Sequence, residues 1–305
     1  MLALIGIDLE FFQRGNQALT LGSAIKRSAV WILLAILFNV YIYYLYENNW
    51  LDWGVDSILD LDGKEAAIHF LTGYLVELSL SVDNVFVFAV IFEYTRIPLQ
   101  YQHRVLFWGV MGAIVMRGLM IGFGVVLINA FDWMTYIFGI VLMASAARIL
   151  ALRSEPSAKD LGTIQMVRKA LPVTDSLRGK KFYVIENGRF LATPLLVTLV
   201  IVEWTDLIFA LDSIPAIFAI TRDPFIIFTS NIFAILGLRN LYFLIAGLIG
   251  KFRYLKTTLV FILMYVGLKM ILHNHVQLPH QLSLAVIGGS LLVGILASVW
   301  ARHPE

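Results

Sequence analysis

The feature that most constrains this sequence is its series of long apolar runs. An α-helix needs about 20 residues to cross the hydrocarbon core of a bilayer, and eight runs approach or exceed that length. They cover approximately 29–46, 69–92, 105–128, 133–151, 192–220, 225–250, 257–272 and 282–300. Charged residues make up only 14% of the 305 residues, whereas soluble domains carry about 25%. The sequence therefore predicts an all-α polytopic membrane protein, with a single transmembrane domain over 1–305.

The connectors predict the number and orientation of the spans. The opening segment 1–12 is apolar but too short to cross a bilayer by itself. It brings the total to about nine spans if it is counted, and leaves eight if it lies on the membrane surface. Lysine and arginine concentrate in cytoplasmic connectors; here the connector 47–65 is acidic and the connector 153–190 is basic. Both counts place the C-terminus in the cytoplasm, and nine spans place the N-terminus outside.

Composition argues against several functions. The net charge of +2 is too small for a nucleic-acid partner, and the basic residues lie in short connectors rather than along one face. The sequence has no cysteine, which excludes disulfides, thiolate metal sites and cysteine nucleophiles. It also has no Gly-x-Ser-x-Gly or His-Glu-x-x-His motif, the marks of two hydrolase classes. We expect neither an enzyme nor an organic cofactor.

Two of the apolar runs carry acids near mid-depth. An ionised side chain at the centre of a membrane helix costs about 2.5–3.5 kcal/mol, so such residues indicate a function. The polar residues of the two runs are Glu77, Asp83 and Asn84 in the first, and Asp206, Asp212 and Ser213 in the second. At 100° per residue, Glu77 and Asn84 lie nearly on one helix face, and so do Asp206 and Ser213.

The two acidic runs also align as an internal repeat, because in each run one acid lies six residues before the next. The match extends to Arg117 and Arg239 in the following runs, and then to Arg148 and Lys269. This pattern predicts repeats of three helices at about 68–152 and 192–273. An odd number of spans inverts the second copy, and transporters with inverted repeats place their substrate at the membrane midplane.

Brought together across the repeat interface, the polar residues of the two runs would offer hard oxygen ligands, which suit manganese, calcium or magnesium. Uncompensated carboxylates in a low-dielectric pocket must be protonated, paired or occupied by a cation. We therefore predict a divalent metal site, competing with protons, at Glu77, Asp83, Asn84, Asp206, Asp212 and Ser213. In the alternative, these acids form salt bridges that only hold helices together, with Arg117, Arg148, Arg239 and Lys269.

Several residues near this site are predicted to support or gate it. Glu203 faces about 180° from Asp212, which favours a salt-bridge or gating role. Pro215 lies well inside a span and predicts a kink or break beside Asp212; freed carbonyls there would add ligands, or the kink is only structural. Arg117 and Arg239 complete this set, together with Asn231.

Two further groups have open interpretations. Thr229, Ser230 and Asn231 line a path to the site or only pack their helix. His273, His275 and His280 in an outer connector attract cations, or are ordinary surface residues.

The motifs of these spans resemble a known family. LTGYLVELSLSVDNVFVF at 71–88, VEWTDLIFALDSIPAIFAIT at 202–221 and DPFIIFTSNIFAILGLRNLYF at 223–243 are similar to the TerC family, Alx-type. The resemblance runs over nearly the whole chain and implies a bacterial inner-membrane protein associated with manganese export or with manganese supply to exported enzymes. The resemblance also implies which positions form the acidic motif of the family in this sequence: Glu77, Asp83, Asn84, Glu203, Asp206, Asp212 and Ser213.

Two positions depart from the family pattern. The first helix is shorter than in the family. Leu78 stands where many relatives have lysine, which leaves the motif helix one positive charge short and makes protonation or cation occupancy more necessary.

The leading hypothesis is export of Mn²⁺ from the cytoplasm in exchange for protons. The second is a membrane partner that supplies metal to exported proteins, or stabilises a metal- or tellurium-resistance complex, without transporting alone. The expected partners are the lipid bilayer, a divalent metal ion and protons, and in the second hypothesis a cytoplasmic or membrane protein that binds 153–190.

Overall fold

Eight helices make up most of the part of the chain that the structure describes. The computed structural model describes residues 21–48, 50, 61–131, 133–151, 172–174, 176–186, 188–246, 254–272 and 278–300. The helices are α1 (Leu21–Glu47), α2 (Gly63–Thr95), α3 (Leu99–Ala130), α4 (Met134–Ala151), α5 (Pro194–Phe218), α6 (Pro224–Ala246), α7 (Leu255–Leu272) and α8 (His280–Trp300). The opening segment 1–12, on which the span count depends, lies outside the described residues, as do His273 and His275.

A tight turn reverses the chain between α2 and α3. The N–H of Arg96, which has a left-handed backbone (φ 52°), donates to the carbonyls of Phe92 and Glu93 and ends α2. Pro98 then precedes α3, and the residue before a proline is disfavoured in a helix. Because only 96–98 separate the two helices, α3 runs back in the direction opposite to α2.

Close contacts give the direction of α5 relative to α3. Gly109 approaches Val202, Gly112 approaches Glu203 and Gly124 approaches Phe218. Residue numbers rise together along both helices, so α3 and α5 run parallel. The glycines permit this approach, because a Cβ at Gly124 would lie 2.6 Å from the Phe218 ring.

The pair α2 and α6 also runs parallel. The ring centroids of Phe70 and Phe233 are 6.0 Å apart, and those of Phe92 and Tyr242 are 5.6 Å apart. Residue numbers again rise together along the two helices. Both pairs of helices, α2 with α6 and α3 with α5, are therefore parallel.

Helix α4 runs antiparallel to α5, and it crosses α7 closely. The Phe138 ring lies 5.9 Å from the Phe218 ring, and Ser145 bonds Asp212 further along α4. At the crossing with α7, a Cβ at Gly139 or at Gly267 would lie 3.0 Å from the other glycine's carbonyl oxygen. Any larger residue at either position would push the two helices apart.

The remaining helices pack on the outside of this group. Helix α1 lies against α2 and α6, with the Phe38 ring 5.5 Å from Phe70 and 4.6 Å from Phe233. Tyr46 on α1 donates a hydrogen bond of 2.7 Å to Asp223, which also caps the start of α6. Helix α8 packs on α2 and α7.

The connector 153–190 contains a β-hairpin that the sequence analysis did not predict. Strands β1 (Tyr183–Glu186) and β2 (Arg189–Ala192) pair antiparallel, with Tyr183 opposite Ala192. Gly188 has a φ of 73° at the turn, a conformation that glycine adopts without strain. One residue separates the hairpin from α5, so the hairpin lies directly at a helix end.

Length and composition allow five of the described helices to cross a membrane: Ser28–Glu47, Leu99–Ala130, Met134–Ala151, Pro194–Phe218 and His280–Ser298. Shorter apolar helices cover Pro224–Gly237 and Thr257–Leu272. Large apolar side chains such as Leu119, Phe123 and Leu292 are more than 60% exposed, which suits contact with lipid. The prediction of an all-helical, multi-pass membrane protein is confirmed.

Candidate cation site

Arg117 is the centre of a buried polar cluster within the helix bundle. Its side chain is 2% exposed. Nη1 donates to the Glu77 carboxylate, to Asn231 Oδ1 at 3.0 Å and to Ser213 Oγ at 3.2 Å. Nε and Nη2 donate to the two oxygens of Asp206 at 3.5 and 3.3 Å. We call these five residues the Arg117 cluster; one guanidinium joins α3 to α2, α5 and α6.

The spacing of residues along α5 explains how two of the partners of Arg117 reach it from the same side. Asp206 and Ser213 are seven residues apart on α5, about two turns, and so meet Arg117 from the same face. Asn231 donates its Nδ2 to the Ile227 carbonyl at 3.0 Å, which leaves its Oδ1 as the acceptor for Arg117. Every member of the Arg117 cluster is buried, so its hydrogen bonds form in a low-dielectric environment where an unpaired charge is costly.

Glu203 adds a third carboxylate beside the Arg117 cluster. It lies three residues before Asp206 on α5, and the two negative charges repel. Its carboxylate packs against Gly112 of α3, where a Cβ would collide with it. Its Oε2 is buried and makes no hydrogen bond to any residue that the structure describes. A half-buried carboxylate with one buried, unpartnered oxygen is stabilised when it gains a proton or a cation.

Asp212 lies on another face of α5 and belongs to a separate contact. Ser145 of α4 donates a hydrogen bond of 2.5 Å to Asp212 Oδ1, and the charge of Arg148 attracts the same carboxylate. Helix α5 continues through Pro215 to Phe218, so the chain is not unwound beside Asp212. Pro215 itself cannot donate to the Leu211 carbonyl, but no unwound segment frees further carbonyls there.

The predicted ligands divide into these two places. Glu77, Asp206 and Ser213 lie in the Arg117 cluster, and Asp212 faces α4. Asn84 is buried on α2, whereas the side chains of Asp83 and Arg239 lie outside the description. Among the described residues, no group of three histidines or acids could hold a metal ion. For Glu77 and Asp206 the geometry is that of the salt-bridge alternative, with Arg117 in the place of a cation.

A small cavity reaches the Arg117 cluster from one end of the bundle. It has a volume of about 10 Å³, room for roughly one water molecule. Asp206 is its single charged lining residue; the others are Phe88, Leu106, Gly109, Val110, Ala113, Val202 and Ile235. Phe88, Leu106 and Val202 lie toward the helix ends where α2 ends and where α3 and α5 begin, so the cavity lies on that side of Arg117.

The charges of this region do not balance. Three carboxylates, those of Glu77, Glu203 and Asp206, share the neighbourhood of one guanidinium. If all were ionised, two negative charges would remain uncompensated among the described side chains. One divalent cation or two protons would neutralise that excess.

Sequence reasoning missed part of this arrangement. It placed Arg117 in a supporting role, although Arg117 is the residue that the other side chains contact. The signal was present, because a lone arginine in an apolar run needs buried acids as partners. The contact of Glu203 with Gly112 had no comparable signal, since it depends on how closely α3 and α5 approach.

Together, the apolar exterior and the buried ionisable cluster define a polytopic helical membrane protein with a charged centre. The chain belongs to the TerC family: the model described as "Integral membrane protein TerC family" matches residues 62–305. The family resemblance of the sequence is thereby confirmed.

Full-length relatives support the same assignment. An uncharacterized membrane protein of Myxococcus xanthus is 43% identical, with 99% of this chain and 91% of the relative covered. A protein of Escherichia coli K12 named "Putative membrane-bound redox modulator Alx" is 42% identical over 98% of this chain and 92% of its own. An uncharacterized membrane protein of Rickettsia bellii is 39% identical over 99% and 95%. No solved structure matches this chain.

Proposed function

We propose that this protein exports Mn²⁺ from the cytoplasm in exchange for protons, and that it is a transporter rather than an enzyme. The observation that carries the proposal is the charge of the buried centre. Glu77, Glu203 and Asp206 exceed the single Arg117 by two negative charges, which equals the charge of one divalent cation or of two protons.

The donor atoms favour a hard cation. Carboxylate, amide and hydroxyl oxygens surround the guanidinium, with no described histidine and no sulfur among them. Oxygen ligands suit manganese, calcium and magnesium. Manganese is the choice that the TerC family resemblance favours among the three.

In the proposed mechanism, Arg117 occupies the carboxylates while no metal is bound. An incoming cation is attracted by Asp206, which faces the cavity, and by Glu203, whose buried Oε2 has no hydrogen-bond partner among the described residues. Binding displaces the protons and loosens the pairing with Arg117. Protons that return to the acids restore the metal-free state.

The helix directions support the inverted repeat on which alternating access would depend. Helix α2 runs opposite to α3, and α3 runs parallel to α5, so α2 and α5 enter the bundle from opposite ends. In such a repeat α2 corresponds to α5 and α3 to α6, so the parallel pair α2 and α6 corresponds to the parallel pair α5 and α3. In the proposed topology of nine spans in a bacterial inner membrane, the N-terminus lies outside, the C-terminus lies in the cytoplasm, and the cavity lies on the cytoplasmic side of Arg117.

The test is Mn²⁺ flux into liposomes that contain only the purified protein. We expect Asp206→Asn and Glu203→Gln to reduce the initial rate at least tenfold, while size-exclusion profiles stay unchanged. Asp83→Asn and Asp212→Asn extend the test to the predicted ligands outside the Arg117 cluster. The matched control is Glu186→Gln, which removes an exposed acid of the hairpin. Wild-type protein that moves no Mn²⁺, or acid variants that equal the control, would contradict the proposal.

One observation favours the second hypothesis, a membrane partner that does not transport alone. Tyr183, Ile185 and Phe190 of the hairpin are 55%, 70% and 48% exposed, and Tyr183 stacks on Phe190 at 5.1 Å. Exposed basic residues flank them at Lys181 and Arg189. An apolar face with a basic rim suits a protein partner at the cytoplasmic surface. In the liposome assay, a partner-dependent protein would show no flux until that partner was added.

A further inference from the structure

A histidine pair lies buried at the end of the bundle where α2 and α8 begin. His69 on α2 is 2% exposed, and neither of its ring nitrogens has a hydrogen-bond partner among the described residues. Its ring centroid is 4.1 Å from that of His280, in an edge-to-face arrangement. His280 is half-buried and is the first residue of α8, so it lies nearer than His69 to that end of the bundle.

The surroundings of the pair are basic. The charged groups that act on His69 are His280 and Lys269 of α7. Lys269 donates to Ser283 of α8 at 2.9 Å, and the Tyr265 hydroxyl lies 3.1 Å from the same oxygen. The nearest acid along α2 is Glu65, one turn away and exposed. Among the residues that the structure describes, no acid near the pair offsets an added positive charge, which disfavours a bound metal ion.

A neutral imidazole has one nitrogen that accepts a proton and one that donates. His69 retains both, because neither nitrogen bonds to a residue in the described part of the chain. It can therefore accept a proton on the His280 side and release one on the other without holding a charge.

A line of positions on α2 leads from His69 to the Arg117 cluster. His69, Gly73 and Glu77 are spaced by four residues and lie along one face of the helix, about 12 Å from end to end. At Gly73 the missing side chain leaves room for Ile217 and for Ser230, whose Oγ would lie 3.0 Å from a Cβ built there. Ser230 is fully buried, and its neighbour Asn231 bonds Arg117.

We propose that His280 and His69 form the outer proton entrance to the Arg117 cluster. This inference rests on the proposed function, because it supplies the path for the protons that exchange with the metal. A proton from outside binds one imidazole nitrogen, the opposite nitrogen releases a proton inward along the line past Ser230, and the pair returns to its neutral state. No other reactant is consumed.

The experiment measures both fluxes in liposomes that contain the purified full chain. A Mn²⁺ gradient drives transport, a trapped pH-sensitive dye reports proton counterflux, and equilibrium dialysis reports Mn²⁺ binding. We expect His69→Gln and His280→Gln each to slow proton counterflux at least tenfold, with the affinity for Mn²⁺ changed less than twofold. The control is His103→Gln, a histidine on α3 near the opposite end of the bundle, which should keep the wild-type rates.

The outcomes separate the two proposals. Wild-type protein without Mn²⁺ flux contradicts the proposed function. Wild-type flux that persists with normal proton counterflux in both variants overturns the proton entrance alone. A loss of one bound Mn²⁺ per chain in His69→Gln would make the pair a metal site, and also overturns it. If His69→Gln fails to fold, His280→Gln decides, because that half-buried position at a helix start tolerates the change.

Discussion

Replacement of Arg117 by methionine tests how the buried cluster is held together. The change removes five hydrogen bonds and leaves Glu77 and Asp206 buried without their cationic partner. Removing one partner of a buried ion pair costs about 3–5 kcal/mol, because the remaining charge is uncompensated. We therefore expect Arg117→Met to lower the free energy of unfolding by about that amount.

The matched control applies the same change to an exposed ion pair. Arg178 bonds Glu186 at 3.0 Å, with about half of each side chain exposed, and such pairs contribute about 0.2–1 kcal/mol. Arg178→Met should therefore cost at most about 1 kcal/mol. Unfolding of both variants is followed by helical circular dichroism in detergent micelles titrated with a denaturing detergent.

A combined variant separates unpaired charge from lost packing. Arg117→Met with Glu77→Gln and Asp206→Asn keeps the shapes of the partners but removes their charges, so it should recover at least half of the lost stability. Equal costs for Arg117→Met and Arg178→Met, or a combined variant no more stable than Arg117→Met alone, would refute the reasoning.

Three further predictions concern close contacts, each measured by the same unfolding assay. Gly112→Ala should cost about 1–3 kcal/mol of stability by overpacking against Glu203, and adding Glu203→Ala to the same chain should restore most of that stability. Gly122→Ala is the control, because a Cβ there meets open space. An equal loss of stability in the control would contradict the close contact between Gly112 and Glu203. Gly267→Ala should likewise destabilise by separating α4 from α7, whereas Gly289→Ala in open space should be neutral or stabilising by up to about 1 kcal/mol; the opposite order would exclude the close crossing. Tyr46→Phe should cost about 1–2 kcal/mol because Asp223 loses its hydrogen-bond donor, while the exposed Tyr44→Phe should have no effect, and a neutral Tyr46→Phe would show that the bond does not stabilise the protein.

The membrane fold was largely predictable from the sequence, because long apolar runs need only local information. Each described helix overlaps a predicted span, and the seven-residue spacing placed Asp206 and Ser213 on one face. The hairpin at Tyr183–Ala192 was not predicted, since its strands are short and lie in a polar connector whose composition resembles a loop.

The site was predictable in its residue types but not in its pairing. Periodicity identified which faces of α2 and α5 carry acids, yet it carries no information about which neighbouring helix each face meets. Asp212 bonds Ser145 because α4 packs there, and Arg117 meets residues of three helices because α3 packs on α5 and α6, which in turn pack on α2. His69 was not predicted to have a function, because a single histidine in an apolar run forms no motif, and its partner His280 is 211 positions away in the chain.

If the buried centre exchanges two protons for one divalent cation, the number of protons released for each Mn²⁺ bound reveals it. Purified protein in weakly buffered detergent is titrated with Mn²⁺ while pH and bound metal are recorded together. We expect about two protons to be released per Mn²⁺ in the wild type, and about one in Glu203→Gln or Asp206→Asn. Binding of Mn²⁺ without proton release, or unchanged release in both variants, would contradict it.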